Sequence, residues 1–297
     1  MHGRFMKNGR AARRRQPVTV PRSSERKPRL DTPQSSSTQP GVVRCRVATY
    51  GAVRATPDDL GQWRRQPPPV CGVAVPASLV KHSEDQTLAA LAALHSAITR
   101  SGWVGRTFTD WGVVAAPNFL GRGGTASSIQ RFADDGAWGV SPHLIPHQSL
   151  HAVSGTVSHL LRIHGPNFGI SGGPQACHDA FLIAAPMLAE GTLPGLWLLL
   201  SGHDREHIPA EDGKGSSPPR APHCEAAALA LVPEHGAVEG MLLSISPEVA
   251  RTRTSELTLS DLVEALIAEE PVAKVWRMPG AGWIALEEVA LSAGSRR

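Results

Sequence analysis

Cys177 and His178 stand side by side in the stretch Gly165–Gly191, GPNFGISGGPQACHDAFLIAAPMLAEG, which reads as strand, tight turn and helix. Asn167–Ser171 is short and half apolar. Gly172-Gly173 breaks it, Pro174 suits the first turn of a helix, and an apolar run follows. Such a turn aims backbone N–H groups and the positive end of the helix dipole at whatever sits there. A cysteine near that point is a candidate nucleophile, because a helix N-terminus lowers a thiol pKa. Neighbouring helical residues diverge, so a base for Cys177 would come from elsewhere than His178. A packed core thiol is the competing reading.

The remaining reactive side chains point to less. His143, His147 and His151 recur every four residues, the spacing of a metal-binding helix face, but Pro146 interrupts them. His203 and His207, with Asp204 and Glu206, fall in a polar Pro- and Gly-rich segment that reads as a loop. Solvated or satisfied histidines account for both groups, and no metal is expected. The turn Gly121–Gly124 could receive phosphate at a helix start, yet it has neither a following Lys-Ser/Thr nor a GxGxxG pattern. No GxSxG nucleophile turn is present. His164, just before Gly165-Pro166, reads as a packing residue, and no cofactor is expected.

The elements that would position these groups can be read from periodicity. Val42–Thr49 reads as a buried strand followed by a turn at Tyr50-Gly51-Ala52-Val53. Asp58–Arg65 reads as a short helix, and Asp85–Arg100 (DQTLAALAALHSAITR) as a helix whose small residues suit close packing on a sheet. Trp111–Ala115 is a second strand. Thr125–Asp134 and Leu150–Ile163 are helices, with 138–150 irregular because of Pro142 and Pro146. Leu196–Leu200, Glu225–Val232 and Met241–Ser246 are strands. Leu259–Glu269 is an amphipathic helix with Thr258 or Ser260 as cap. Lys274–Met278 and Trp283–Glu287 are short strands around Pro279-Gly280. Strands alternating with helices predict a largely parallel sheet with both faces covered.

On these residues the chain resembles the β-ketoacyl synthases, the condensing enzymes of fatty-acid and polyketide synthesis. Gly165-Pro166 matches the opening of their nucleophile region. Gly191, the strand Leu196–Leu200 and Ser201-Gly202 match its end. Ser141-Pro142 and Pro146 match an SP-x-x-x-P segment that in the family lies near the dimer interface and acyl channel. Glu225 falls on an acidic position of a Gly-Glu-Gly-Ala-Gly strand whose glycines are here Ala226 and Ala228. The resemblance covers about residues 42–246 and implies an α/β fold, half of a thiolase-type fold with a mostly parallel sheet and helices on both faces. Aligned without gaps, the family's cysteine position falls on Pro174, which has neither a nucleophile nor an N–H. Cys177 takes that role only with three residues inserted before it and three removed after it. The family's supporting histidines belong to a second half, and no histidine follows residue 246.

Charge divides the chain. Its formal net charge is +4, yet residues 1–40 hold ten Lys/Arg against two Asp/Glu, leaving 20 basic and 24 acidic residues beyond them. Three parts are expected: a disordered basic tail (1–41), a β-ketoacyl-synthase N-terminal-like domain (42–250) and a small helix/strand extension (251–297). No apolar run approaches the roughly 20 residues that span a bilayer. Cys45, Cys71, Cys177 and Cys224 form no CxxC pair, which suits a reducing cytoplasm. Three functions stay open. The first is a non-catalytic ketosynthase-like subunit, paired through Asn167–Ser171 with its own copy or a complete ketosynthase and meeting an acyl carrier protein. The second is an acyltransferase using Cys177. The third is a nucleic-acid-tethered protein acting through the Arg-rich tail.

Overall fold

Thirteen consecutive residues, Val43–Ala55, form strand β1 near the middle of a mixed sheet. The turn expected at Tyr50-Gly51-Ala52-Val53 is absent. The chain stays extended there and pairs with strand β5 (Cys224–Pro233), with a register shift between Val47 and Thr49. Gly51 serves close approach instead of a turn. A Cβ at this position would lie 2.2 Å from the Ala93 carbonyl oxygen and 2.6 Å from the Ala97 nitrogen, both on a helix laid across the strand. This computed structural model describes residues 41–142, 144–170, 173–204, 223–234, 240–247, 255–268, 273–278 and 282–288. The basic tail lies outside them, as do His143, Glu206 and His207.

That helix follows two short ones, α1 (Pro57–Arg65) and α2 (Ala77–Val80); α3 (Asp85–Arg100) has the bounds its sequence predicts. Eleven of the sixteen residues of α3 are buried. Its alanines and leucines meet Ala226, Ala228 and Ala230 of β5, whose small side chains form the floor under a close-packed helix. Strand β2 (Gly112–Pro117) is wholly buried. It leads to α4 (Arg122–Asp135), α5 (Leu144–Gln148) and α6 (His151–Leu161). The segment expected to be irregular thus contains a short helix, with Pro146 inside its first turn where a missing N–H costs no hydrogen bond. Then come β3 (Asn167–Gly169), α7 (Ala176–Ala189), β4 (Leu196–His203), β5 and β6 (Met241–Ser246). The strand–helix alternation of the expected half-fold is in place from β1 to β5.

Among the described residues the sheet has eight strands in the order β3-β2-β4-β5-β1-β6-β8-β7. The expectation of a mostly parallel sheet is corrected. Only β2–β3 and β2–β4 pair in parallel, and the other five ladders are antiparallel. The cause is β5. It inserts between β4 and β1, which run the same way, and so converts one parallel contact into two antiparallel ones. The segment beyond 250 supplies α8 (Leu259–Ile267), β7 (Ala273–Arg277) and β8 (Trp283–Glu288). Because β8 pairs with β6, these strands widen the same sheet.

Two apolar layers sandwich the sheet. On one face α3 and α6 pack with Phe108, Trp111 and Trp197. On the other, α7 and α8 cover Leu198, Leu229 and Leu243. Helix α4 stands apart, with no buried residue among those described and with Ile129 and Phe132 exposed.

Candidate functional site

The strand–turn–helix around residue 170 forms at the edge of the sheet. β3 pairs with β2 alone, Val113 opposite Asn167 and Ala115 opposite Gly169. The Ile170 N–H donates to the Ala115 carbonyl, and the Val113 N–H donates to the Pro166 carbonyl. Even-numbered residues therefore bond inward, and by alternation the N–H groups of Asn167 and Gly169 point to the open edge. Gly169 is compressed from behind, since a Cβ there would sit 2.1 Å from the Leu150 carbonyl oxygen. Ser171 and Gly172 lie outside the described residues.

Helix α7 begins at Ala176 behind Gln175, which gives no side-chain cap. Pro174 sits exposed just before it. The helix head is thus present, with Pro174 outside its first turn. Cys177 is the second helical residue and is only 3% exposed, packed with Ala180, Phe181 and the apolar sheet face. Burial pushes its thiol from 9.0 up to about 12. A helix N-terminus is worth about 0.3–1 kcal/mol, less than one pKa unit, so burial wins and the thiol stays protonated at neutral pH. Cys177→Ala is therefore expected to cost about 1 kcal/mol of stability. Iodoacetamide at neutral pH is expected to label the partly exposed Cys71 well before Cys177, as peptide mass mapping would read. Fast, selective labelling at Cys177 would contradict this.

His178 is turned about 100° around the helix from Cys177 and is no base for it. The residue is 4% exposed, both ring nitrogens are shut off from solvent, and the Arg277 backbone is their hydrogen-bonding neighbour. Burial lowers its pKa below 6.5, against the opposing pull of Glu256, Asp179 and the Arg277 backbone. Sequence reasoning weighed His178 only as a partner for Cys177 and missed the cavity it lines. The signal was present as a row four residues apart on α7, His178, Leu182 and Pro186.

The other sequence candidates are dispersed. His147 stands beside His82, ring centroids 6.0 Å apart, with Nδ1 3.5 Å from the Ser83 hydroxyl. His151 Nδ1 is 3.1 Å from the Ser154 hydroxyl. His203 is largely buried, and burial lowers its pKa. Asp204 accepts from the His223 N–H at 2.8 Å. The His164 side chain is exposed instead of packed. Among the described residues no three His, Cys, Asp or Glu side chains gather as a metal site would need. At Gly121–Gly124, Gln148 fills the space a phosphate would need: a Cβ on Gly124 would meet its side chain at 2.1 Å. Glu225 accepts from Arg54 Nε and from the Ser260 hydroxyl, each at 2.6 Å, and so ties β5 to β1 and to the start of α8. None of the four cysteines forms a disulfide. Among the described residues no helix is long and apolar enough to cross a membrane.

No protein-family model matches the chain, and no curated protein matches it by sequence. Solved structures similar to it include the ketosynthase ApeO in complex with its chain length factor ApeC from Xenorhabdus doucetiae, at 14% identity and TM-score 0.48, covering 80% of this chain and 97% of that one. The ishigamide ketosynthase/chain length factor is 16% identical at TM-score 0.48, covering 68% of this chain and 65% of that one. A type II polyketide synthase acyl-carrier protein in complex with its ketosynthase gives 15% identity and TM-score 0.45, covering 65% of this chain and 63% of the matched one. In the last two cases the chain spans less than two thirds of the length of the structure it resembles.

Proposed function

We propose that the chain is a non-catalytic β-ketoacyl-synthase-like subunit that binds a partner or an acyl chain in polyketide- or fatty-acid-type synthesis. The observation that carries this reading is the head of α7. The strand, turn and helix that hold a nucleophile in the resembling family are built here, with exposed Pro174 at the nucleophile's place and Cys177 sealed in the core. Four cysteines without a disulfide suit a reducing, cytoplasmic setting.

The partner surface is the β3 edge. Asn167–Gly169 offers unpaired N–H and C=O groups beside half-exposed Phe168, and such an edge invites another strand. A second copy would pair with it isologously, and a complete ketosynthase would pair in the same geometry.

Two measurements test the proposal. Incubation with an octanoyl thioester, read by intact mass, is expected to leave the chain unmodified; an acyl adduct on Cys177 would favour the acyltransferase reading instead. Light scattering at micromolar concentration is expected to show a dimer, alone or with a co-expressed ketosynthase. Asn167→Pro removes an edge-facing donor while sparing the ladder to β2, and it should shift the protein toward monomer. A wild-type monomer of ordinary thermal stability that captures no ketosynthase would defeat the association.

A further inference from the structure

A groove of about 650 Å³ lies between α6 and the segment around Ala74. Its α6 wall is one face of the helix. His151, Gly155 and His159 recur every four residues, and Arg162 follows just past the last turn. Gly155 keeps the trough open between the two histidines, since a Cβ there would already touch the His151 ring at 3.3 Å. His164, beyond the helix, adds a third imidazole to the lining.

Charge marks this groove. The chain beyond residue 40 holds 20 basic and 24 acidic residues. Yet none of the twelve described residues that line the groove is acidic, and four of them are Arg or His. All four are exposed, so a ligand can reach them. Among the described residues, the side chains of Arg162, His159 and His164 make no hydrogen bond or ion pair. The three histidines do not gather as a metal site would need.

Arg162 also occupies a costly place. It caps α6 in the left-handed region, at φ 54° and ψ 44°, where glycine is the unstrained residue. A cation near the last carbonyls of a helix is favourable, but that effect acts along the whole last turn and does not require the strained position. A guanidinium fork beside imidazole N–H groups, with no carboxylate to compete, suits the oxygens of a phosphate or carboxylate.

We propose that this groove binds a small, multiply charged oxyanion, held by the Arg162 guanidinium with His159 and His164 as further donors. The site is separate from the helix head at Pro174 and Cys177, and it stands whether or not the chain is a ketosynthase-like subunit.

The test uses the full chain at pH 7 and constant ionic strength, with pyrophosphate and citrate as probes and glycerol as the uncharged control. The readout is the imidazole resonances of His159 and His164, which report on the groove and not on anions held by the Arg-rich residues 1–40. At least one of the two anions is expected to shift them saturably, and glycerol should not. A response to pyrophosphate alone assigns the site to phosphates, and a response to citrate alone assigns it to carboxylates. Arg162→Gly should weaken the response at least about ten-fold, the scale of one charge-assisted hydrogen bond. Because glycine suits the left-handed backbone, this variant should melt no lower than the wild type, which separates lost binding from lost folding. Arg162→Asn, which also tolerates that backbone, carries the test if Arg162→Gly does not fold. Absence of a saturable shift with either anion, an equal shift with glycerol, or a shift unchanged in the Arg162 variants would each overturn the proposal.

Discussion

Gly51→Ala should destabilise the protein by about 3 kcal/mol or more, at or beyond the top of the usual range for overpacking. In a chain of this size that corresponds to a fall in melting temperature of about 6–12 °C. The added methyl would meet the Ala93 carbonyl oxygen at 2.2 Å, the Ala97 nitrogen at 2.6 Å and the Ser96 Cβ at 2.9 Å. Two of these are backbone atoms of a sixteen-residue helix, so no side-chain rotation can relieve the clash. Helix α3 must lift from β1 and β5, exposing the apolar layer beneath it. The Thr49 hydroxyl, which donates to the Ala97 carbonyl at 2.9 Å, would lose its partner as well. Gly61 in α1 is the control. There a Cβ meets only the tip of Arg65 at 3.7 Å, and Gly61→Ala should stabilise by about 0.5–1 kcal/mol. Thermal melts of both variants decide the matter. A Gly51→Ala protein that melts with the wild type would mean that α3 does not press on β1 as described.

Gly51 also shows where sequence reading stopped. A glycine followed by Ala-Val reads locally as a turn, and only the helix across the sheet reveals that it is a contact. Helix α3 was legible because its apolar spacing is local, and its bounds match. Strand existence was legible for the same reason at β4, β5 and β6. Strand neighbours were not: nothing in Cys224–Pro233 says that it will lie between β4 and β1, and that one placement accounts for two of the five antiparallel ladders. At the candidate site, Pro174 and Cys177 could be placed at the start of a helix from sequence. The burial that fixes the thiol's protonation comes from sheet residues such as Leu198 and Leu229, and it needed the fold. The cavity beside His178 joins residue 43 to residues 245 and 278, a convergence with no local pattern.

Arg54→Ala should cost about 3 kcal/mol, the low end for breaking a buried ion pair, and more than Glu225→Gln. The asymmetry follows from burial. Glu225 is 2% exposed, whereas the Arg54 side chain is 42% exposed. Removing Arg54 leaves a carboxylate inside the sheet with the Ser260 hydroxyl as its remaining partner among the bonds described, and a hydroxyl does not neutralise charge. Removing the charge of Glu225 leaves Arg54 free to reach water, and the glutamine can still accept from Ser260. Glu225→Gln should therefore cost about 1–2 kcal/mol, the scale of a lost charge-assisted hydrogen bond. The two residues face each other across the β1–β5 ladder, so the pair is a cross-strand contact that also anchors the first turn of α8. Arg54→Met combined with Glu225→Met should recover much of the Arg54→Ala loss, because replacing both charges with apolar groups removes the desolvation penalty together with the attraction. Denaturant melts of the single and double variants would show it. Equal losses for Arg54→Ala and Glu225→Gln would mean that water reaches the carboxylate and that the pair behaves as an exposed one.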